Sequence, residues 1–196
     1  MNSKTYTFEI EIKFLTYWHC SSGSSGGSRV DATVVKDKNN LPFVPAKTIK
    51  GHIRDMAETL NDKNFVNECF GYSTFDDMFG YDKDILDKPN KKREGKCYFT
   101  NAILEEQIDK ELSSYLYHTL SSTAIKKNGI AKTGSLREVE VVVPLTLKAK
   151  ILHIPKNYIQ QMKTSLLQVK RIGLNRTRGW GRCELNVKEF EEKENE

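Results

Sequence analysis

The strongest constraint on the fold is a run of alternating apolar residues within residues 139–151. Its apolar positions are Val139, Val141, Val143, Leu145, Leu147, Ala149 and Ile151. A period of two places one side of a strand against a core and leaves the other side facing solvent. Pro144 lies inside the run, and because proline donates no backbone hydrogen bond, we expect an edge strand, a bulge or a bend there.

Similar patterns predict the other elements of the core. Alternating apolar residues predict a first strand near residues 6–14, and shorter runs predict strands at 96–104 and 183–187. Apolar residues at spacings of three and four predict one helix after Pro45 and another after Pro155. A further amphipathic helix is expected over residues 105–120. The core order is strand, helix, strand, strand, helix, strand, which is the α+β, ferredoxin-like (RRM-like) βαββαβ plan. That plan leaves one face of the sheet free, as in RNA recognition motifs.

The charge of the chain is unevenly distributed. The 196 residues carry 31 Lys and Arg against 26 Asp and Glu, a net charge of +5. The last eight residues hold five Glu and one Lys, so the remainder has 30 basic and 21 acidic residues, a net charge of +9. A basic body favours a polyanionic partner such as nucleic acid, and an ordinary solvated surface is the alternative.

Other features bound the class of protein. No stretch approaches the ~20 apolar residues of a membrane span, so no membrane partner is expected. The chain starts without an apolar signal core, and its four cysteines lack disulfide-framework spacing, which indicates a reducing, cytoplasmic setting. No Cys or His pairs have zinc-ligand spacing, so no structural zinc is predicted. We expect a single domain over residues 1–188, with insertions at about 21–45, 61–95 and 105–136, followed by an acidic tail at 189–196.

Residues 170–182 form the segment with the clearest chemical signature, called here the Gly-Arg loop. It contains five basic residues, three glycines and no acid. Glycines let a backbone approach phosphates and arginines clamp them, so phosphate binding is favoured over a merely basic turn. Lys47, Lys50 and Arg54 share one face of the first predicted helix. A polar, basic segment at 121–137 is too long for a simple turn.

Several ordered motifs resemble those of the RAMP superfamily of CRISPR-associated proteins. They are a His-containing, glycine-rich stretch at 19–27, Asp31 before a short strand, the helix start at 44–54, Met78-Phe79-Gly80, and the Gly-Arg loop. Residues 123–137 resemble the thumb of the backbone subunits of Csm- and Cmr-type type III effector complexes. The resemblance covers residues 6–188, and it implies a thumb-like β-hairpin within the ferredoxin-like fold.

The resemblance also implies a function. Such subunits polymerise along a crRNA guide with other effector subunits, and an Asp after the first strand cuts complementary target RNA with a divalent metal. Asp31 matches that catalytic position and is the candidate ligand for Mg²⁺. The RNA-binding residues carried over are His19, Ser21, Gly26, Gly27, Lys47, Thr48, Lys50, Arg54, Thr123, Ile125, Lys126, Lys132, Arg137, Arg176 and Arg178.

Departures from the family pattern leave alternatives open. Ala46 and Lys47 stand where the family has Gly and Ser. A non-catalytic RNA-binding subunit, structural or capping, is the main alternative, and in it Asp31 only caps a turn. A stand-alone guide-processing endoribonuclease is a third interpretation.

Overall fold

The computed structural model describes residues 4–23, 30–60, 63–72, 93–106, 108–109 and 111–192. The strands are β1 (Thr5–Phe14), β2 (Gly71–Tyr72), β3 (Arg93–Glu94), β4 (Tyr98–Phe99), β5 (Tyr117–Ser122), β6 (Arg137–Val142), β7 (Thr146–Pro155) and β8 (Cys183–Glu191). The α-helices are α1 (Ala46–Thr59), α2 (Lys63–Phe70) and α3 (Ile159–Gln168). The predicted Met78-Phe79-Gly80 motif lies outside the described residues.

A four-stranded antiparallel sheet organises the domain. Its strand order is β4-β7-β1-β8. With α1 between β1 and β4 and α3 between β7 and β8, the chain follows the βαββαβ order of a ferredoxin-like fold. The predicted fold class is therefore confirmed.

The core lies between this sheet and the helices. The alternating residues of β1 from Phe8 to Phe14 are buried, and so are the apolar residues at helical spacing in α1 and α3. All four cysteines are free and buried within this core. Burial raises the pKa of the Cys20 thiol and of the Cys183 thiol to about 12. None of the described helices is long and apolar enough to cross a membrane.

Pro144 divides the long alternating run into two strands of different sheets. β7 lies inside the main sheet between β4 and β1, so the break is a bend and not an edge strand. β6 leaves the sheet and pairs with β5 in an antiparallel hairpin that runs from Tyr117↔Val142 to Ser122↔Arg137. This hairpin is the expected thumb-like element.

The helix predicted over residues 105–120 is wrong. A short 3₁₀ turn covers Leu112–Leu116, and β5 starts at Tyr117. Leu112, Leu116 and Leu120 recur every four residues, which suits a helix. Pairing with β6 overrides that local pattern, and the Tyr117 hydroxyl donates a hydrogen bond to the Asn40 carbonyl oxygen at 2.6 Å.

The C-terminal strand extends into the segment expected to be an acidic tail. β8 continues through Glu191, and the Glu192 carboxylate accepts hydrogen bonds from the Thr5 and Thr7 hydroxyls and from the His153 backbone amide. Partial burial alone would raise the pKa of Glu192, but these hydrogen bonds outweigh it and lower the pKa to about 2. Glu192 therefore fastens the end of the described chain to the main sheet.

Candidate nucleic-acid interface

Asp31 lies beside β6, close to the Ser122↔Arg137 end of the β5–β6 hairpin. Its backbone amide donates to the Glu138 carbonyl oxygen at 2.8 Å, and its carboxylate accepts from the Glu138 amide at 2.8 Å. Ala32 then bridges in parallel to Val139. The Asp31 side chain is thus fixed beside the first residues of β6 and remains exposed to solvent.

Glu140 joins the Asp31 segment to the hairpin. Its carboxylate accepts a hydrogen bond from the Val34 amide at 2.9 Å and pairs with the Lys36 ammonium at 2.8 Å. The Lys36 ammonium also lies 3.8 Å from the centre of the Tyr117 ring. Burial, with the nearby Glu140 and Asp37 carboxylates, raises the pKa of Tyr117. One partly buried carboxylate therefore holds together two chain segments more than 100 residues apart.

His19 is buried, which argues against its predicted contact with RNA. Its side chain is 0% exposed, and Nδ1 donates to the Glu140 carbonyl oxygen at 2.6 Å. Its own carbonyl oxygen accepts from the Leu174 amide at 2.8 Å. Gly173 packs so closely here that a Cβ would overlap that same oxygen. His19 is thus a structural link between the hairpin and the Gly-Arg loop.

The Gly-Arg loop folds back onto the residues that follow β1. The Leu15 amide donates to the Arg182 carbonyl oxygen at 2.8 Å, and the Gly181 amide donates to that of Tyr17 at 2.8 Å. A 3₁₀ turn spans Arg176–Arg178 at the tip. All five basic side chains of the loop are exposed, so the loop presents cations from a backbone held at both ends.

A cavity of about 520 Å³ separates the hairpin from the Gly-Arg loop, and we call it the hairpin cavity. Its lining residues are Ser122, Thr123, Ala124, Lys132, Gly134, Ser135, Arg137 and Arg178. Four of the predicted RNA-binding residues converge here from two distant segments. The Thr123 and Ser135 hydroxyls lie 2.8 Å apart at its wall. Three cations around one opening suit a phosphate chain.

A second cavity of about 730 Å³ lies between the Gly-Arg loop and α1. Its cationic and imidazole groups come from His52, Lys170, Arg171, Arg176 and Arg182. An Arg176 Nη1–H donates to His52 Nδ1 at 3.2 Å. Burial, and then the Arg176 charge, lower the pKa of His52. Of these residues only Arg176 is among the RNA-binding residues that the family resemblance implies. The other three cations belong to the basic pattern of the Gly-Arg loop.

The predicted basic face of α1 does not join the Gly-Arg loop. Lys50 and His52 are two residues apart, which places them about 160° apart around the helix axis. His52 faces the Gly-Arg loop, whereas the Lys50 ammonium lies 6.0 Å from the Phe99 ring of β4, at the other edge of the sheet. Arg54 pairs with Glu58 at 2.7 Å. Helical spacing places Lys47 on the same flank as Lys50 and Arg54.

The remaining predicted contacts do not line either cavity, as far as the structure describes them. Ile125 and Lys126 are at the far end of the hairpin, where Ile125 is 70% exposed. Ser21 is exposed and pairs with Val34 beside the Asp31 segment. Thr48 is half-buried in the first turn of α1. Gly26 and Gly27 lie outside the described residues.

The open face of the main sheet does not resemble an RNA platform. Glu9 pairs with Lys150 at 2.9 Å, and Glu105 pairs with Lys148 at 2.5 Å. The hydrogen bond from Lys150 is the main reason that the pKa of Glu9 is lowered. Charges of both signs cover the middle of this face, so it neither attracts a polyanion nor offers a stacking surface there.

The carboxylate of Asp31 is the candidate ligand for the expected metal. No group of three or more His, Cys, Asp or Glu side chains converges on one point within the described ranges. An exposed carboxylate such as Asp31 provides one protein oxygen, and Mg²⁺ commonly binds through one or two carboxylates together with water and phosphate oxygens. The residues therefore fit a metal held largely by an RNA substrate.

Comparison with known proteins agrees with this fold. The chain resembles a chain of a type III-B Cmr-beta complex bound to cognate target RNA, with a TM-score of 0.69 and 13% identity over 94% of this chain and 98% of that chain. It also resembles a chain of the apo Cmr-beta complex, with a TM-score of 0.64 and 13% identity over 92% and 96% of the two chains. No curated sequence matches significantly. The family model of the RAMP superfamily matches residues 11–184, so the chain belongs to the RAMP superfamily.

Proposed function

We propose that the chain is a guide-binding backbone subunit of a type III CRISPR ribonucleoprotein. Membership of the RAMP superfamily and the fold shared with chains of Cmr-beta complexes support this class. The hairpin cavity is the observation that carries the proposal, because two elements predicted separately to bind RNA line one opening.

The charges of the hairpin cavity suit a phosphate chain. None of the ion pairs among the described residues involves Lys132, Arg137 or Arg178. Unpaired cations on a shared wall gain free energy when RNA binds and its condensed counterions are released. The Thr123 and Ser135 hydroxyls hold each other and the Lys132 carbonyl oxygen, so the cations are the groups that contact phosphate oxygens, and such contacts do not read the bases. Binding through these groups is therefore independent of sequence, as a guide of variable sequence requires.

Asp31 is our candidate for the residue that cleaves target RNA. Asp31 is hydrogen-bonded to Glu138 of β6. The residue before Glu138 is Arg137, which lines the hairpin cavity. A strand bound in the cavity thus passes close to an exposed carboxylate that can orient a 2′-hydroxyl group towards the adjacent phosphate. A divalent metal bound by Asp31 would supply electrostatic stabilisation of the scissile phosphate.

A non-catalytic RNA-binding subunit is the second candidate. The hydrogen bond from the Glu138 amide to the Asp31 carboxylate already gives Asp31 a structural role beside β6. In this alternative the hairpin cavity binds RNA and Asp31 only anchors the thumb.

Charge reversal in the assembled complex tests RNA binding. We expect Lys132→Glu with Arg178→Glu to weaken guide RNA binding and to flatten its dependence on salt, since each lost phosphate contact lowers the logarithmic slope by about 0.7. Lys163→Glu, an exposed position on α3, is the matched control. Equal slopes for the double variant and the control would exclude the hairpin cavity as the RNA site.

A pair of Asp31 variants separates the two candidates. Asp31→Asn retains an oxygen that accepts the Glu138 amide, whereas Asp31→Ala does not. We expect both variants to stop target cleavage while guide binding persists. Wild-type cleavage by Asp31→Asn would assign Asp31 a structural role and favour the non-catalytic candidate.

A further inference from the structure

Two exposed aromatic side chains near the hairpin cavity have no role in the proposed function. Tyr17 is 37% exposed, and His118 on β5 is also exposed. Their ring centres lie 5.7 Å apart with an angle of 64° between the planes. The two rings therefore form an edge-to-face pair at the protein surface.

The backbone holds Tyr17 against the Gly-Arg loop. The Tyr17 carbonyl oxygen accepts the Gly181 amide at 2.8 Å, and the neighbouring Thr16 hydroxyl donates to the Gly179 carbonyl oxygen at 3.0 Å. Arg178, which lines the hairpin cavity, directly precedes Gly179. Tyr17 is thus fixed close to one of the cations that we assign to phosphate binding.

The strand geometry places His118 on the side of the hairpin that faces the cavity. His118 and Ser122 are four residues apart on β5, so they point to the same face at a distance of about 13 Å. Ser122 and its cross-strand partner Arg137 both line the hairpin cavity. Glu138 and Glu140 alternate to the opposite face, where the Glu138 carboxylate accepts from the Ser121 hydroxyl and the Glu140 carboxylate accepts from the Val34 amide. The aromatic pair and the cationic cavity therefore share one continuous surface.

We infer that Tyr17 and His118 form a stacking site for a nucleobase of single-stranded RNA whose phosphates occupy the hairpin cavity. Exposed aromatic rings next to unpaired cations are the combination that binds single strands, because every base has a face that stacks and every nucleotide has a phosphate. Tyrosine adds contact area at a small entropic loss, since only two side-chain torsions are ordered. This inference rests on the proposed RNA binding and adds a base contact to it.

Affinity for two RNA probes tests the inference. The probes are a short single-stranded RNA of mixed sequence and an abasic RNA of equal length, each bound to the full-length protein. We expect Tyr17→Ala to weaken binding of the normal RNA by about 5- to 150-fold, with His118→Ala in the same direction. Tyr17→Phe keeps the stacking ring and should bind within about threefold of wild type. Tyr98→Ala, an exposed aromatic on β4 at the far edge of the sheet, is the matched control.

The salt slope and the abasic probe separate the possible failures. We expect an unchanged salt slope for Tyr17→Ala and equal binding of abasic RNA by wild type and Tyr17→Ala. An unchanged affinity of Tyr17→Ala for normal RNA overturns the stacking site, and so does an equal loss on both probes, which would indicate a structural defect. A wild-type protein without salt-dependent RNA binding would instead overturn the proposed function. If Tyr17→Ala impairs only assembly with other subunits, the rings bind protein and the inference is wrong.

Discussion

Replacement of Gly173 by alanine tests whether the Gly-Arg loop depends on its close approach to His19. Gly173 has φ +101°, and a Cβ there would overlap the His19 carbonyl oxygen. Gly179 in the same loop has φ +88°, but a Cβ there would meet no atom within 4 Å. The two substitutions therefore impose a similar backbone strain and differ in the steric overlap.

The difference in stability between the two variants has two sources, the steric overlap at Gly173 and a weakened hydrogen bond. A left-handed conformation costs a residue with a Cβ about 1–2 kcal/mol, which is the whole expected effect of Gly179→Ala. Gly173→Ala adds about 1–3 kcal/mol of overpacking. It also disturbs the adjacent hydrogen bond from the Leu174 amide to the His19 oxygen, which contributes about 1 kcal/mol. We expect Gly173→Ala to be less stable than Gly179→Ala by about 2–4 kcal/mol.

Urea unfolding of both variants and wild type measures this difference. Equal m-values would show that the unfolding free energies are comparable. We also expect Gly173→Ala to lose RNA affinity, because Arg176 and Arg178 move with the loop, whereas Gly179→Ala should retain most of it. A difference below about 0.5 kcal/mol between the variants would refute the role assigned to the contact between Gly173 and His19.

Two carboxylates give further predictions. Glu140→Ala leaves the Lys36 ammonium and the Val34 amide without their carboxylate partner, so the unfolding free energy should fall by about 2–3 kcal/mol. Glu140→Gln keeps an acceptor for the Val34 amide and should lose less stability. Equal losses for the two variants in thermal melts would contradict this. The Glu192 pKa of about 2 lies below its ordinary 4.5, so its contribution is complete above pH 4.5 and is lost as the pH falls towards 2. Because solvent screens the carboxylate, we expect Glu192→Gln to lower the unfolding free energy by about 1 kcal/mol at pH 7. The variant should also show a flatter dependence of stability on pH between 4.5 and 2. Parallel pH profiles for the variant and wild type would count against the assignment.

Local patterns were sufficient to predict the core elements. The burial of Phe8, Ile10 and Ile12 follows from a period that is complete within one strand. The helix after Pro45 and the bend at Pro144 likewise depend on neighbouring residues. The βαββαβ order then restricted the topology to one familiar arrangement.

Predictions that required knowledge of distant contacts were less successful. His19 is buried because residues 140 and 173 close over it, and nothing in its own neighbourhood indicates this. The shared face of Lys50 and Arg54 was predicted from helical spacing, but spacing does not show that the opposite flank meets the Gly-Arg loop. The pairing of β5 with β6 also joins segments that local propensity does not relate.

A rotation of the hairpin that leaves the sheet at Pro144 would move its two ends by different amounts. The six-residue strands of the hairpin are each about 20 Å long, and the Asp31 segment is attached to β6 through Glu138 and Glu140. A rotation about this attachment would displace Ile125, which lies beyond the strands, farther than it displaces Asp31. A change in length or shape at the Ile125 end can thus alter the reach of the hairpin without changing the hydrogen bonds that hold Asp31.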